Sequence, residues 1–80
     1  MEETDLDKAL AVKLKGNEKF KNNEFAEAKK LYTEAISICP PHRKTDLSII
    51  FQNRAAANEK IDLLEEAVKD CSQSISLNNK

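Results

Sequence analysis

One amphipathic stretch occurs twice in this chain. EFAEAKKLYTEAISI at residues 24–38 aligns with LLEEAVKDCSQSISL at residues 63–77, an offset of 39, matching Glu27 to Glu66, Ala28 to Ala67 and Ile38 to Leu77. Each copy spaces its apolar residues for one face of a helix, and each follows another stretch patterned the same way. The chain therefore reads as two helical hairpins in tandem, an all-α class. With one glycine and two prolines in 80 residues, and abundant Ala, Leu, Lys and Glu, helix is favoured over strand throughout.

Local signals place the expected helices near 4–22, 25–38, 46–60 and 63–77. Thr4 with Asp7 three residues later forms a cap signature, and the pair Asn22 and Asn23 supplies a stop. Pro40 and Pro41 end the second helix, since proline donates no backbone N–H and crowds the preceding turn. Asp62 with Glu65 is read as the cap of the fourth helix. The expected buried stripes are Ala28, Leu31, Tyr32, Ala35 and Ile36 in the second helix, and Leu47, Ile50, Phe51 and Ala55 in the third. In the fourth they are Leu64, Ala67, Val68, Cys71 and Ile75.

Composition narrows the functional classes. A net charge of −1, from 13 basic and 14 acidic residues, provides no general attraction to nucleic acid or an anionic membrane. No apolar run approaches the roughly 20 residues of a membrane span, and the acidic start MEETDLDKAL is unlike a secretory signal, so an intracellular location is expected. Cys39 and Cys71 lie far apart without a CxxC pair and beside a single histidine, His42, in a loop. That inventory supports neither a zinc site nor a redox motif, and both thiols are expected reduced and close to the core. No nucleophile–base arrangement, glycine-rich phosphate loop or metal cluster is suggested by local spacing, so no catalytic residue, metal or cofactor is expected.

The helix–turn–helix period, with small residues at fixed points, resembles the tetratricopeptide repeat: a 34-residue unit with small residues at positions 8, 20 and 27, an aromatic at 24 and proline at 32. The first repeat supplies Gly16, Ala28, Tyr32, Ala35 and Pro40; the second supplies Ala55, Ala67, Cys71, Ser74 and Asn79, a weaker match. The extra residues of the 39-residue offset fall in PPHRKTD. The resemblance implies a right-handed α-solenoid fragment over residues 1–80. On this resemblance repeat 1 is expected over about 9–42, an insertion over about 40–46 and repeat 2 over about 48–80, with no third repeat expected within these 80 residues. It also explains the lone Gly16, unfavourable inside a helix by about 0.5–1 kcal/mol, as a packing glycine. The competing explanation is an unrelated four-helix bundle.

Within this family, KLKGN and FQNRAAA resemble repeats that form a carboxylate clamp for the acidic C-terminal tail of cytosolic heat-shock chaperones. Carried over residue by residue, the peptide-binding positions are Lys13, Asn17 and Asn53. A terminal residue with an acidic side chain presents two carboxylates, which lysine and asparagine amides satisfy as donors. Lys13 and Asn17, four apart, share a helix face. Surface lysines are ordinarily just solvated, whereas two mid-helix asparagines call for a reason. Arg54 is expected to make an internal ion pair or to pack its stem, not to contact ligand. The family completes its clamp with a lysine and an arginine from a third repeat, so the clamp here is expected to be partial. The loop and second repeat also resemble a cytosolic adaptor branch of the family. The resemblance implies a non-catalytic adaptor or co-chaperone module. The alternatives are a different protein partner, such as a helix or a small GTPase, and weak self-association through the second repeat.

Overall fold

Asn23 and Asp62 turn this chain back on itself. They are the non-glycine residues with positive φ among the described residues, at 65° and 63°, and they stand at equivalent points of the two copies. At each, the helix closes with the same pair of bonds. Glu24 N–H donates to Lys19 C=O and Asn23 N–H to Phe20 C=O; Leu63 N–H donates to Asn58 C=O and Asp62 N–H to Glu59 C=O. These are Schellman closures with Asn and Asp in the left-handed position where glycine is the usual choice.

The computed structural model describes the backbone of residues 2–78 and the side chains of residues 5–78. Four helices are present: α1 (Glu2–Lys21), α2 (Phe25–Ile38), α3 (Lys44–Lys60) and α4 (Leu64–Asn78). They pack as α1 on α2 and α3 on α4, with α3 laid against the first hairpin. This is the all-α architecture of two tetratricopeptide-type hairpins. The role expected of Asn79 lies outside the described residues.

Two expected caps differ from what forms. α1 is helical from Glu2, ahead of Thr4; acidic residues at a helix N-terminus complement the exposed N–H groups and the dipole. Asp62 does not cap α4. It sits in the left-handed turn that ends α3, and Leu63 C=O accepts the first bond of α4, from Ala67 N–H. Between α2 and α3, Cys39 is extended at φ −62°, ψ 131°, as a residue before proline prefers. Arg43 N–H then donates to Pro40 C=O, closing a turn with Pro41 at its second position. His42 is exposed in that turn, and Lys44–Asp46 are already helical.

Small residues let the helices approach. Ala9, Ala28, Ala35, Ala57 and Ile50 have no solvent exposure, and Tyr32, Cys39 and Leu47 complete the cluster. The first hairpin and α3 thus bury the stripes expected of α2 and α3, with Leu31, Ile36 and Phe51 half-buried. The α4 stripe is a correction. Leu64, Val68 and Ile75 are 58%, 64% and 69% exposed and Cys71 is exposed too, so this thiol is not in the core; the buried residues of α4 are Asp70 and Ser74.

The cause is a polar seam between α3 and α4. Arg54 donates from Nε and Nη2 to both carboxylate oxygens of Asp70, at 2.9 and 2.7 Å, and Asn58 Nδ2 donates to Asp70 at 2.9 Å. One turn on, Ser48 Oγ lies 2.9 Å from Ser74 Oγ and 3.1 Å from Ser74 C=O. A buried carboxylate must be paired, so these contacts set the rotation of α4 and turn its apolar stripe outward. Arg54 is the internal ion-pair residue expected from sequence.

The left-handed turn gives a direct test of the repeat geometry. Asp62→Val is expected to lower unfolding free energy by about 1–2 kcal/mol, the cost of a β-branched residue in that conformation, whereas Asp62→Gly leaves it equal or raises it. Urea denaturation of the two variants measures the difference; equal stability of Val and Gly would contradict it.

Candidate functional site

Gly16 and Tyr32 are the foundation of the site. Tyr32 is 2% exposed, and its ring lies against α1 at Gly16. A Cβ at position 16 would stand 2.7 Å from Tyr32 Cε1 and 2.9 Å from Cδ1, closer than side chains tolerate. The lone glycine therefore makes room for an aromatic ring from the partner helix.

That seat directs the phenol along α1 to the next residue. Tyr32 Oη donates to Asn17 Oδ1 at 2.6 Å, and Asn53 Nδ2, arriving from α3, donates to the same oxygen at 3.3 Å. Three helices thus meet at one carbonyl. Beside it opens a groove of about 250 Å³ lined by Asn17, Phe20, Lys21, Tyr32, Asn53 and Ala56. Phe20 also packs edge-on against Phe25, ring centroids 5.0 Å apart, which ties this wall of the groove to the α1–α2 turn.

Of the three residues singled out from sequence, Asn17 and Asn53 touch. Lys13 lies one helical turn before Asn17, about 6 Å along α1, half-buried and with no carboxylate partner among the described residues. It is not in the groove wall itself. Lys21, one turn beyond Asn17, is, so α1 presents Lys13, Asn17 and Lys21 at successive four-residue steps. Sequence reasoning missed Lys21 and the polar role of Tyr32. The first was visible as a continuation of the i, i+4 series, whereas the second required knowing where the phenol ends. The arrangement offers ammonium and amide donors beside a short apolar wall, a combination that suits a carboxylate attached to an extended chain.

Burial pushes the Tyr32 phenol above its ordinary pKa of 10.0. The folded state therefore holds this proton more tightly than the unfolded chain, and the contribution is fully present below about pH 10. It is lost as pH rises through the folded value, because only the unfolded phenol has ionised in between. Stability relative to Tyr32→Phe is expected to fall by up to about 1.4 kcal/mol per pH unit above pH 10, and to show no such slope below pH 9. Denaturation midpoints of the two proteins across that range test this.

Gly16→Ala tests the seat. Despite the gain in helix propensity, the added methyl is expected to cost about 1–3 kcal/mol by forcing the buried ring away. A variant as stable as the parent in chemical denaturation would show that the ring relocates freely.

No protein-family model matches the chain. Among curated proteins it is 45% identical over 80 residues to the mitochondrial import receptor subunit TOM70 of Rattus norvegicus, covering 100% of this chain and 13% of that protein. Over 73 residues it is 38% identical to DnaJ homolog subfamily C member 7 of Mus musculus, covering 90% of this chain and 15% of that protein. It is 41% identical over 73 residues to the heat shock protein sti1 homolog of Schizosaccharomyces pombe, covering 91% of this chain and 12% of that protein. The chain thus spans 13% of the length of the TOM70 relative and similarly small shares of the others.

Proposed function

We propose that this chain is a tetratricopeptide-repeat module that binds, without catalysis, the free acidic C-terminus of an extended peptide in the groove between α1 and α3. The chemistry is that of the tails of cytosolic heat-shock chaperones, and the role is that of an adaptor or co-chaperone. The observation that carries this reading is the hydrogen bond of Asn53 to Asn17 at the groove, 3.3 Å, with Lys13 one turn before Asn17 on the same face of α1 and without a carboxylate partner among the described residues. Lys13 supplies charge, and the two amides supply directed donors. The names of the relatives, a DnaJ homolog, a heat shock protein homolog and an import receptor subunit, are compatible with a chaperone-related partner. The loop and second repeat resemble tetratricopeptide repeat protein 1, a cytosolic adaptor, which is the basis for assigning a cytoplasmic location. No helix among the described residues is long and apolar enough to cross a membrane.

A second reading keeps the fold and moves the partner. Leu64, Ala67, Val68, Cys71 and Ile75 of α4, with Ala55 and Ala56 of α3, line an open apolar groove of about 600 Å³. A helical or GTPase-type protein partner, or a second copy in weak self-association, would bury that surface.

One titration separates the two. A peptide ending in Glu-Glu-Val-Asp is expected to bind the 80-residue chain with a Kd in the high micromolar to millimolar range, about −4 to −5 kcal/mol. Amidation of the peptide, or Lys13→Ala, should weaken binding about tenfold, and added salt should weaken it further. Equal affinity for the free and amidated peptides would remove the carboxylate reading and favour the second.

A further inference from the structure

We infer that Tyr32 is the positioning residue that makes the candidate site selective for hydrogen-bond acceptors, by holding Asn17 with its amide nitrogen turned to the ligand. The inference rests on the proposed role of Asn17 in binding.

An asparagine amide is two-faced, and rotating it by half a turn exchanges a carbonyl acceptor for two N–H donors. At Asn17 that freedom is restricted. The phenol at 2.6 Å and the Asn53 amide nitrogen at 3.3 Å both donate to Oδ1, which uses both of its lone pairs. Turning the amide over would set its nitrogen against the Asn53 nitrogen, donor facing donor. Nδ2 is what remains for a ligand, so a carboxylate or carbonyl is accepted and an ammonium or amide N–H is not.

The phenol in turn cannot swing away. Its ring is held against Gly16 with no room for a methyl between them, and its side chain is buried. A short, part-buried hydroxyl bond on a clamped ring is a fixed reference for the amide it meets.

The second copy within the same chain is an internal comparison. At the 39-residue offset, Gly16, Asn17 and Tyr32 correspond to Ala55, Ala56 and Cys71. Glycine, amide and phenol are replaced together: with no phenol, the glycine has no ring to admit and the amide has nothing to orient it. The three behave as one device, present in the first hairpin and missing from the second.

Tyr32 is the sole tyrosine in a chain without tryptophan, so its absorbance and fluorescence report this position alone. Tyr32→Phe keeps the ring on Gly16 and removes only the hydroxyl. It is expected to preserve the helical circular dichroism while reducing the preference for the free-acid over the amidated Glu-Glu-Val-Asp peptide about fivefold. In an Asn17→Ala background, where the part of the preference that Asn17 supplies is already lost, Tyr32→Phe should change nothing further, as a double-mutant cycle would show.

A ligand-free measurement stands beside it. The order parameter of the Asn17 side-chain amide in nitrogen-15 relaxation is expected near the value of rigid backbone, about 0.85, and below about 0.6 in Tyr32→Phe. A wild-type value below about 0.6 would overturn the inference even if the variant failed to fold. An unchanged peptide preference in Tyr32→Phe, with Asn17→Ala reducing it, would overturn the inference and leave the binding reading intact. An unchanged preference in Asn17→Ala would instead overturn the binding reading, and the inference with it.

Discussion

The contact of the Tyr32 ring with α1 at Gly16, where there is no side chain to stand between them, is the one on which the first hairpin is organised. It sets the separation of α1 and α2, and through the rigid ring it sets the position of one hydroxyl group. That hydroxyl meets Asn17, and Asn17 is where α3 adds its own amide from Asn53. A packing requirement and a polar network thus share a single side chain. Aromatic rings with a polar tip serve this double purpose well, since the body is apolar and stiff while the tip demands a partner when buried.

The second hairpin is held differently. Its interior contact is a carboxylate, Asp70, satisfied by the guanidinium of Arg54 and the amide of Asn58. Asn58 Oδ1 is buried without a hydrogen-bond partner among the described residues. The charge-assisted bond to Asp70 holds the amide nitrogen inward, so its carbonyl cannot turn to find one. Arg54 also reaches Thr33 of α2 at 3.2 Å and lies 5.3 Å from the centre of the Phe51 ring, so the same residue that closes the second hairpin joins it to the first. Removing one partner of such a buried pair leaves a charge uncompensated, which makes the geometry of α4 stringent where an apolar interface would be tolerant.

These two interiors give the molecule two unlike faces. On one side, α1 and α3 bring lysine and asparagine to a narrow groove with a short apolar wall. On the other, α3 and α4 open an apolar surface equivalent to the one that α3 itself covers on the first hairpin. At the 39-residue offset, Cys71 and Ile75 of that surface correspond to Tyr32 and Ile36, which are buried and half-buried. The difference lies in what packs on each face and not in the backbone, for the turns at Asn23 and Asp62 superimpose in conformation and bonding.

Local physics in the sequence determined the four helices, the stop at Asn23 and the break at Pro40 and Pro41, whereas the small residues Gly16, Ala28 and Ala35 were legible as contact points through the resemblance to the tetratricopeptide repeat. The helices and their ends are decided by backbone preferences and periodicity within a few residues, while Asn17 and Asn53 were singled out by the family resemblance, with their poor mid-helix propensity in support. Tertiary structure alone decided which face of α4 is buried. Its apolar stripe and its Asp70–Ser74 edge are adjacent at helical spacing, and only the approach of Arg54 and Asn58 makes the polar edge the interior one. It likewise turned Asp62 from an expected cap into a left-handed terminator, because the demand for partners at the end of α3 is met by that residue's backbone. It also brought the Tyr32 hydroxyl to Asn17, 15 residues away, a direction set by the contact between two helices that no spacing within either one encodes.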